Sequence, residues 1–197
     1  MSEIKSALEL ALERTESVAS DKKGLRAHEV RQEGKRLVSR LSEDPSTDVK
    51  KALKQYSGEE LRWVKEGFFQ VIITQITLPT TEADLSRLST VETGLSAVIK
   101  DSSSMKYLFE QAHQLLKQYL ENRRHLIEQL RTAFADRMRK REEELARQFG
   151  HAVKLDPAQD PEFAGALQQH MGRLQQQYEG VLEQLRGELD RLFQESL

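Results

Sequence analysis

Between Met105 and Phe149 the chain places apolar or small residues at Met105, Phe109, Ala112, Leu116, Tyr119, Leu126, Leu130, Phe134, Met138, Leu145 and Phe149, with neither Pro nor Gly in the run. Steps of three and four residues put such positions on one face of an α-helix. At about 1.5 Å per residue, roughly 45 positions extend about 67 Å, more than twice the diameter of a small domain. A rod of that length cannot bury its stripe inside a compact ball. It needs a partner helix alongside it, from the same chain or from another copy.

Composition agrees with a helical chain. Ala, Glu, Lys, Leu and Arg supply 95 of the 197 residues, close to the half share that marks long helices and coiled coils. The 30 basic and 32 acidic residues nearly cancel to a net charge of −2, so no bulk field draws the chain to nucleic acid or anionic lipid. With no Cys in the sequence there is no disulfide framework, thiolate metal site or cysteine nucleophile, as expected of a protein in a reducing cytosol. The stretch from Met1 to Ala11 mixes acids into its apolar positions and does not read as a signal peptide. The most hydrophobic window, Gly67 to Leu78, is interrupted by Gln70 and Gln75 and falls well short of the roughly 20 residues of a membrane span. A soluble, cytoplasmic protein is the expectation.

The four prolines, Pro45, Pro79, Pro157 and Pro161, fall where the periodicity breaks and separate the helices. The pattern predicts a first helix from Ser2 to Ser20, carrying Ile4, Leu8, Ala11, Leu12, Thr15 and Val18 on one face, with Gly24 as its breaker. A half-exposed second helix follows from Leu25 to Leu41, then a short piece from Thr47 to Tyr56. Ser57 and Glu60 form a capping-box pattern at the head of a helix running to Leu78. That helix is apolar on much of its circumference and belongs in a core. Val71-Ile72-Ile73 would also suit a strand, but no second strand is available to pair with it. Thr80 or Thr81 is the expected N-cap of a helix from Glu82 to Lys100, and Asp101-Ser102-Ser103-Ser104 ends it and caps the long rod.

Gly150 suits the end of that rod, and Asp160-Pro161 is the N-cap and first-turn pair that starts another. From Pro161 to about Ser196 the stripe is Phe163, Leu167, Met171, Leu174, Tyr178, Val181, Leu185, Leu189 and Leu192. The intervening linker is long enough to reverse direction, so the two rods form an antiparallel hairpin. The stripe of the first rod advances about 3.67 residues per step, nearer an 11-residue repeat than a heptad, which predicts a straight or weakly right-handed pair. Residues 101–149 hold ten basic and eight acidic groups, whereas residues 150–197 hold four and eight. Opposite signs favour pairing, by some tenths of a kcal/mol per exposed ion pair.

Around Glu3 to Glu16, and again at Asp160-Pro161-Glu162-Phe163 and Gln177-Tyr178, the chain resembles a family of small bacterial helical proteins of unknown function. The resemblance implies a free-standing bacterial protein and adds no activity.

The remaining constellations are weighed against plainer readings. Glu110 and His113 share a helical face at the spacing of di-iron bundles, but such a site needs that motif twice and two more inward acids. A metal-binding bundle is therefore the least favoured function, and His28, His151 and His170 stand alone. Arg137, Arg139, Lys140 and Arg141, with Arg123, Arg124 and Arg131 upstream, are candidate phosphate contacts for a nucleic-acid-associated regulator. Glu143 and Glu144 lie one turn on from Arg139 and Lys140 and neutralise them locally. Gly165, Gly172, Gly180 and Gly187 cluster within about 80° of arc opposite the leucine stripe. Each costs up to about 1 kcal/mol relative to Ala. They mark either a contact surface for another helix or glycine tolerated at the surface. No phosphate loop, nucleophile elbow or zinc-protease motif is present.

The sequence thus predicts an all-α protein, with an N-terminal bundle of shorter helices over residues 1–100 and a long coiled-coil-like hairpin over 101–197. It predicts a non-catalytic interaction protein with a protein partner or a second copy. It assigns no catalytic residue, metal, cofactor or small-molecule substrate.

Overall fold

The computed structural model describes residues 7–152, 154–157 and 160–197, with side chains from Lys22 onward. The protein is all-α, and among the described residues there is no strand. Its helices are α1 (Ala7–Glu43), α2 (Val49–Leu53), α3 (Gly58–Ile72), α4 (Leu85–Leu95), α5 (Ser102–Phe149) and α6 (Pro161–Gln194). Two compact units interleave along the sequence. The first comprises Met1–Gln75, Ser89–Met105 and Arg191–Leu197, the second Ile76–Leu88 and Lys106–Asp190.

The first unit is built on α1 and α3. The predicted break at Gly24 does not occur: α1 passes through it without interruption. An exposed glycine inside a helix costs only about 1 kcal/mol, and Lys23 and Arg26, on either side of Gly24, reach Glu59 and Glu60 of α3 at 2.8 and 2.7 Å. The face expected from Ile4 to Val18 lies outside the described side chains. Arg31 grips Glu66 through Nε and Nη2 at 3.0 and 2.8 Å, and Gln75 Nε2 donates to Ser42 Oγ at 3.1 Å. Partner numbers rise together along both helices, so α1 and α3 run parallel. Residues 44–57, with α2 among them, carry the chain back.

Two glycines allow the close approach. A Cβ on Gly34 would stand 2.7 Å from the Phe68 nitrogen, and one on Gly67 would stand 2.7 Å from the Arg31 carbonyl carbon. Each helix thus presents a bare backbone to the other. Val30, Val38, Leu41, Val64, Phe68, Ile72, Val91 and Leu95 are buried around this contact. Phe69 stacks on Phe193 with centroids 4.1 Å apart and planes 2° from parallel, and Ser196 Oγ accepts from the Lys100 N–H at 2.9 Å.

Several predicted boundaries move. Ser57 is the N-cap of α3, but its hydroxyl makes no capping bond, and Gly58, at φ +53°, turns the chain into the helix instead. The piece expected from Thr47 to Tyr56 shortens to the five residues of α2, capped by Asp48. Val71 and Ile72 are helical, so the strand alternative falls, yet α3 stops at Ile72 and Ile73–Gln75 tighten into a 3-10 turn. Pro79 keeps Leu78, the expected last residue, out of the helical region. The helix expected from Glu82 begins as a 3-10 turn, Glu82–Asp84, and is α-helical only over Leu85–Leu95. Asp101 caps α5 as expected: its carboxylate accepts from the Ser104 hydroxyl at 2.6 Å and the Ser104 and Ser103 N–H groups at 3.0 and 3.1 Å. The Ser104 hydroxyl is the main cause holding that carboxyl below the usual aspartate range.

Candidate interaction surfaces on the hairpin

The second unit is the hairpin. α5 has 48 residues and α6 has 34, about 72 and 51 Å of helix. Tyr119 meets Tyr178 edge-on at 5.2 Å, Phe134 meets Phe163 at 5.5 Å, and Asn122 donates to the Tyr178 hydroxyl at 2.7 Å. As partner numbers rise on α5 they fall on α6, which makes the pair antiparallel. Along α5 the stripe reads as expected, with Phe109, Ala112, Leu116, Tyr119, Leu130 and Met138 buried, whereas Phe149 is 59% exposed. On α6 one position is corrected: Leu182 is fully buried and Val181 is 44% exposed. A step of four from Tyr178 reaches Leu182 and a step of three reaches Val181; both suit a helical stripe, and the packing takes Leu182.

At its far end the hairpin is closed by Asp160, whose carboxylate is buried. Oδ1 accepts from the N–H groups of Glu162 and Phe163 at 2.9 and 3.2 Å, the N-cap expected ahead of Pro161. Oδ2 lies 3.2 Å from Arg141 and 3.7 Å from Arg137. Arg137 also pairs with Glu162. Leu155 donates its N–H to Glu142 at 2.8 Å, so the returning chain accompanies the last turns of α5 before α6 begins. A buried carboxylate requires such partners.

These contacts place the candidate phosphate residues. Arg137 and Arg141 face Asp160, Arg139 pairs with Asp136 at 3.4 Å in place of the expected Glu143, and Lys140 is exposed. Two of the three arginines upstream are also engaged. Arg123 donates to the Thr80 carbonyl at 2.8 Å and Arg124 to Glu82 at 3.0 Å. From α6, Arg186 Nε donates to the Ile76 carbonyl at 3.2 Å, and Nη1 reaches Glu179 and Glu183 at 2.8 and 2.7 Å. Residues 76–84 therefore form a strap bound to both helices. Asp84 closes it, accepting from the Thr80 hydroxyl at 2.7 Å and from the Thr81 and Thr80 N–H groups at 2.9 and 3.0 Å. The Thr80 hydroxyl leads these donors in holding the Asp84 carboxyl far below its usual range. This network carries only a weak sequence signal, the threonine N-cap ahead of Asp84.

At 100° per residue, Arg186 and the residues at α6 positions 181, 184 and 188 fall on opposite flanks of α6. The second flank is an open groove of about 500 Å³ lined by Leu108, Gln111, Leu115, Val181, Gln184, Leu185, Gly187 and Glu188. Next to it Tyr107 is 62% exposed and accepts a hydrogen bond from Gln111 at 2.8 Å. Farther out, Leu126, Ile127, Phe134, Leu167, Met171 and Leu174 are only half-buried. The four glycines of α6 are all exposed, and a Cβ at any of them would meet nothing within 4 Å. Glu110 is exposed and His113 half-buried. Among the described residues no three His, Asp or Glu side chains gather as metal ligands, and no helix is long and apolar enough to cross a membrane.

Fold and surface define an all-α protein whose longest element is an antiparallel helical hairpin. More particularly, the chain belongs to the family of unknown function DUF6657, whose model matches residues 50–191. That span contains Asp160–Phe163 and Gln177-Tyr178, two of the segments that carry the resemblance read from sequence, while Glu3–Glu16 precedes it. No curated protein and no solved structure matches the chain.

Proposed function

We propose that this is a non-catalytic assembly protein of the bacterial cytoplasm that joins a second copy, or an elongated protein partner, along its hairpin. One observation carries the reading: the flank opposite Arg186 leaves Leu108, Leu115, Val181 and Leu185 lining an open groove. The pair buries its central stripe but leaves this flank open, and a further pair laid along it gives a four-helix cross-section. The spacing of Gly165, Gly172, Gly180 and Gly187 supports a second copy in particular. It reads the same in both directions, so an antiparallel two-fold pairing of α6 sets Gly165 against Gly187 and Gly172 against Gly180. Phosphate binding has less support, because Arg137, Arg139 and Arg141 each face a carboxylate within the chain.

Light scattering across a concentration series tests the proposal. The protein is expected to show a multiple of its 22.7 kDa mass, and Val181→Glu, at an exposed position, is expected to return the monomer with its helicity intact. Ala at all four glycines is expected to raise helix stability and weaken self-association; unchanged association would remove the glycine face and leave the groove as the contact. A monomer at every concentration that also captures no protein partner overturns the assembly reading.

A further inference from the structure

We draw no further inference here: the strongest candidate, the apolar groove between α5 and α6 walled by Leu108, Leu115, Val181 and Leu185, belongs to the assembly surface already proposed, and nothing in the structure shows which molecule covers it.

Discussion

Gly67→Ala should weaken the first unit, although the same change stabilises most helices. In an open helix, replacing Gly by Ala gains up to about 1 kcal/mol. At Gly67 the new Cβ would lie 2.7 and 2.8 Å from the carbonyl carbon and Cα of Arg31. These are backbone atoms of α1, which cannot swing aside as a side-chain tip can, and α1 is tied to α3 there by the Arg31–Glu66 pair. Overpacking of this kind costs about 1–3 kcal/mol. The net expectation is destabilisation by about 1–2 kcal/mol, or roughly half to one molar in the urea midpoint at the slopes usual for small proteins. The single Trp of the chain, Trp63, sits on α3, so its fluorescence follows this unit during a urea titration. Gly172→Ala, where a Cβ meets open space, is the control and should be neutral or stabilising by circular dichroism. If Gly67→Ala unfolds at or above the wild-type midpoint, α1 and α3 do not approach as closely as described, and the reasoning fails.

Three further outcomes are expected of the hairpin. Asp160→Ala removes the cap of α6 and the carboxylate between Arg137 and Arg141; losing a cap costs about 1–2 kcal/mol, so amide exchange at Glu162 and Phe163 should quicken by about tenfold for each 1.4 kcal/mol. Unchanged exchange at those two amides would show that the cap does not hold the helix end. Arg186→Ala deletes charged hydrogen bonds of about 1.5–3 kcal/mol in this class, so residues 76–84 should become the first site of limited proteolysis. Arg186→Lys should restore little, because a lysine cannot span the Ile76 carbonyl and two carboxylates at once, and full protection by Lys would refute that account. Asp84 has its native pKa depressed, so it stabilises the fold at every pH above the unfolded value near 3.8. That contribution fades as pH falls below the unfolded value and is gone once pH has passed the lower native value. Thr80→Val should raise the Asp84 midpoint in an NMR titration, and an identical midpoint in both proteins would deny the Thr80 hydroxyl its role.

The range of the forces involved decides which elements are legible in the amino-acid sequence. α5 and α6 were legible because their stripes repeat over many turns and their ends carry local chemistry: Asp101 with Ser104, and Asp160 with Pro161. The break expected at Gly24 was a weak local preference, and tertiary contact with α3 overrode it. The box expected at Ser57 failed because Gly58, at positive φ, sets the entry of the helix. Leu182 and Val181 are neighbours of like character, and only the partner helix decides which of them faces inward. The strap arms of Arg123, Arg124 and Arg186 depend on residues about 40 to 110 positions away, beyond what periodicity encodes. The same is true of the parallel run of α1 and α3, which depends on Gly34 and Gly67 meeting backbones distant in sequence.

The way the chain returns beside α5 separates two kinds of length change. An insertion in α5 between Phe109 and Phe134 shifts every later aromatic away from its opposite number, and only a matching insertion between Phe163 and Leu189 restores the alignment. Residues 142–152, 154 and 155 lie past the point where α6 starts, so segments of other lengths can be spliced there without sliding one arm against the other. The far end of the hairpin is thus free to vary in reach while its base keeps a fixed pairing.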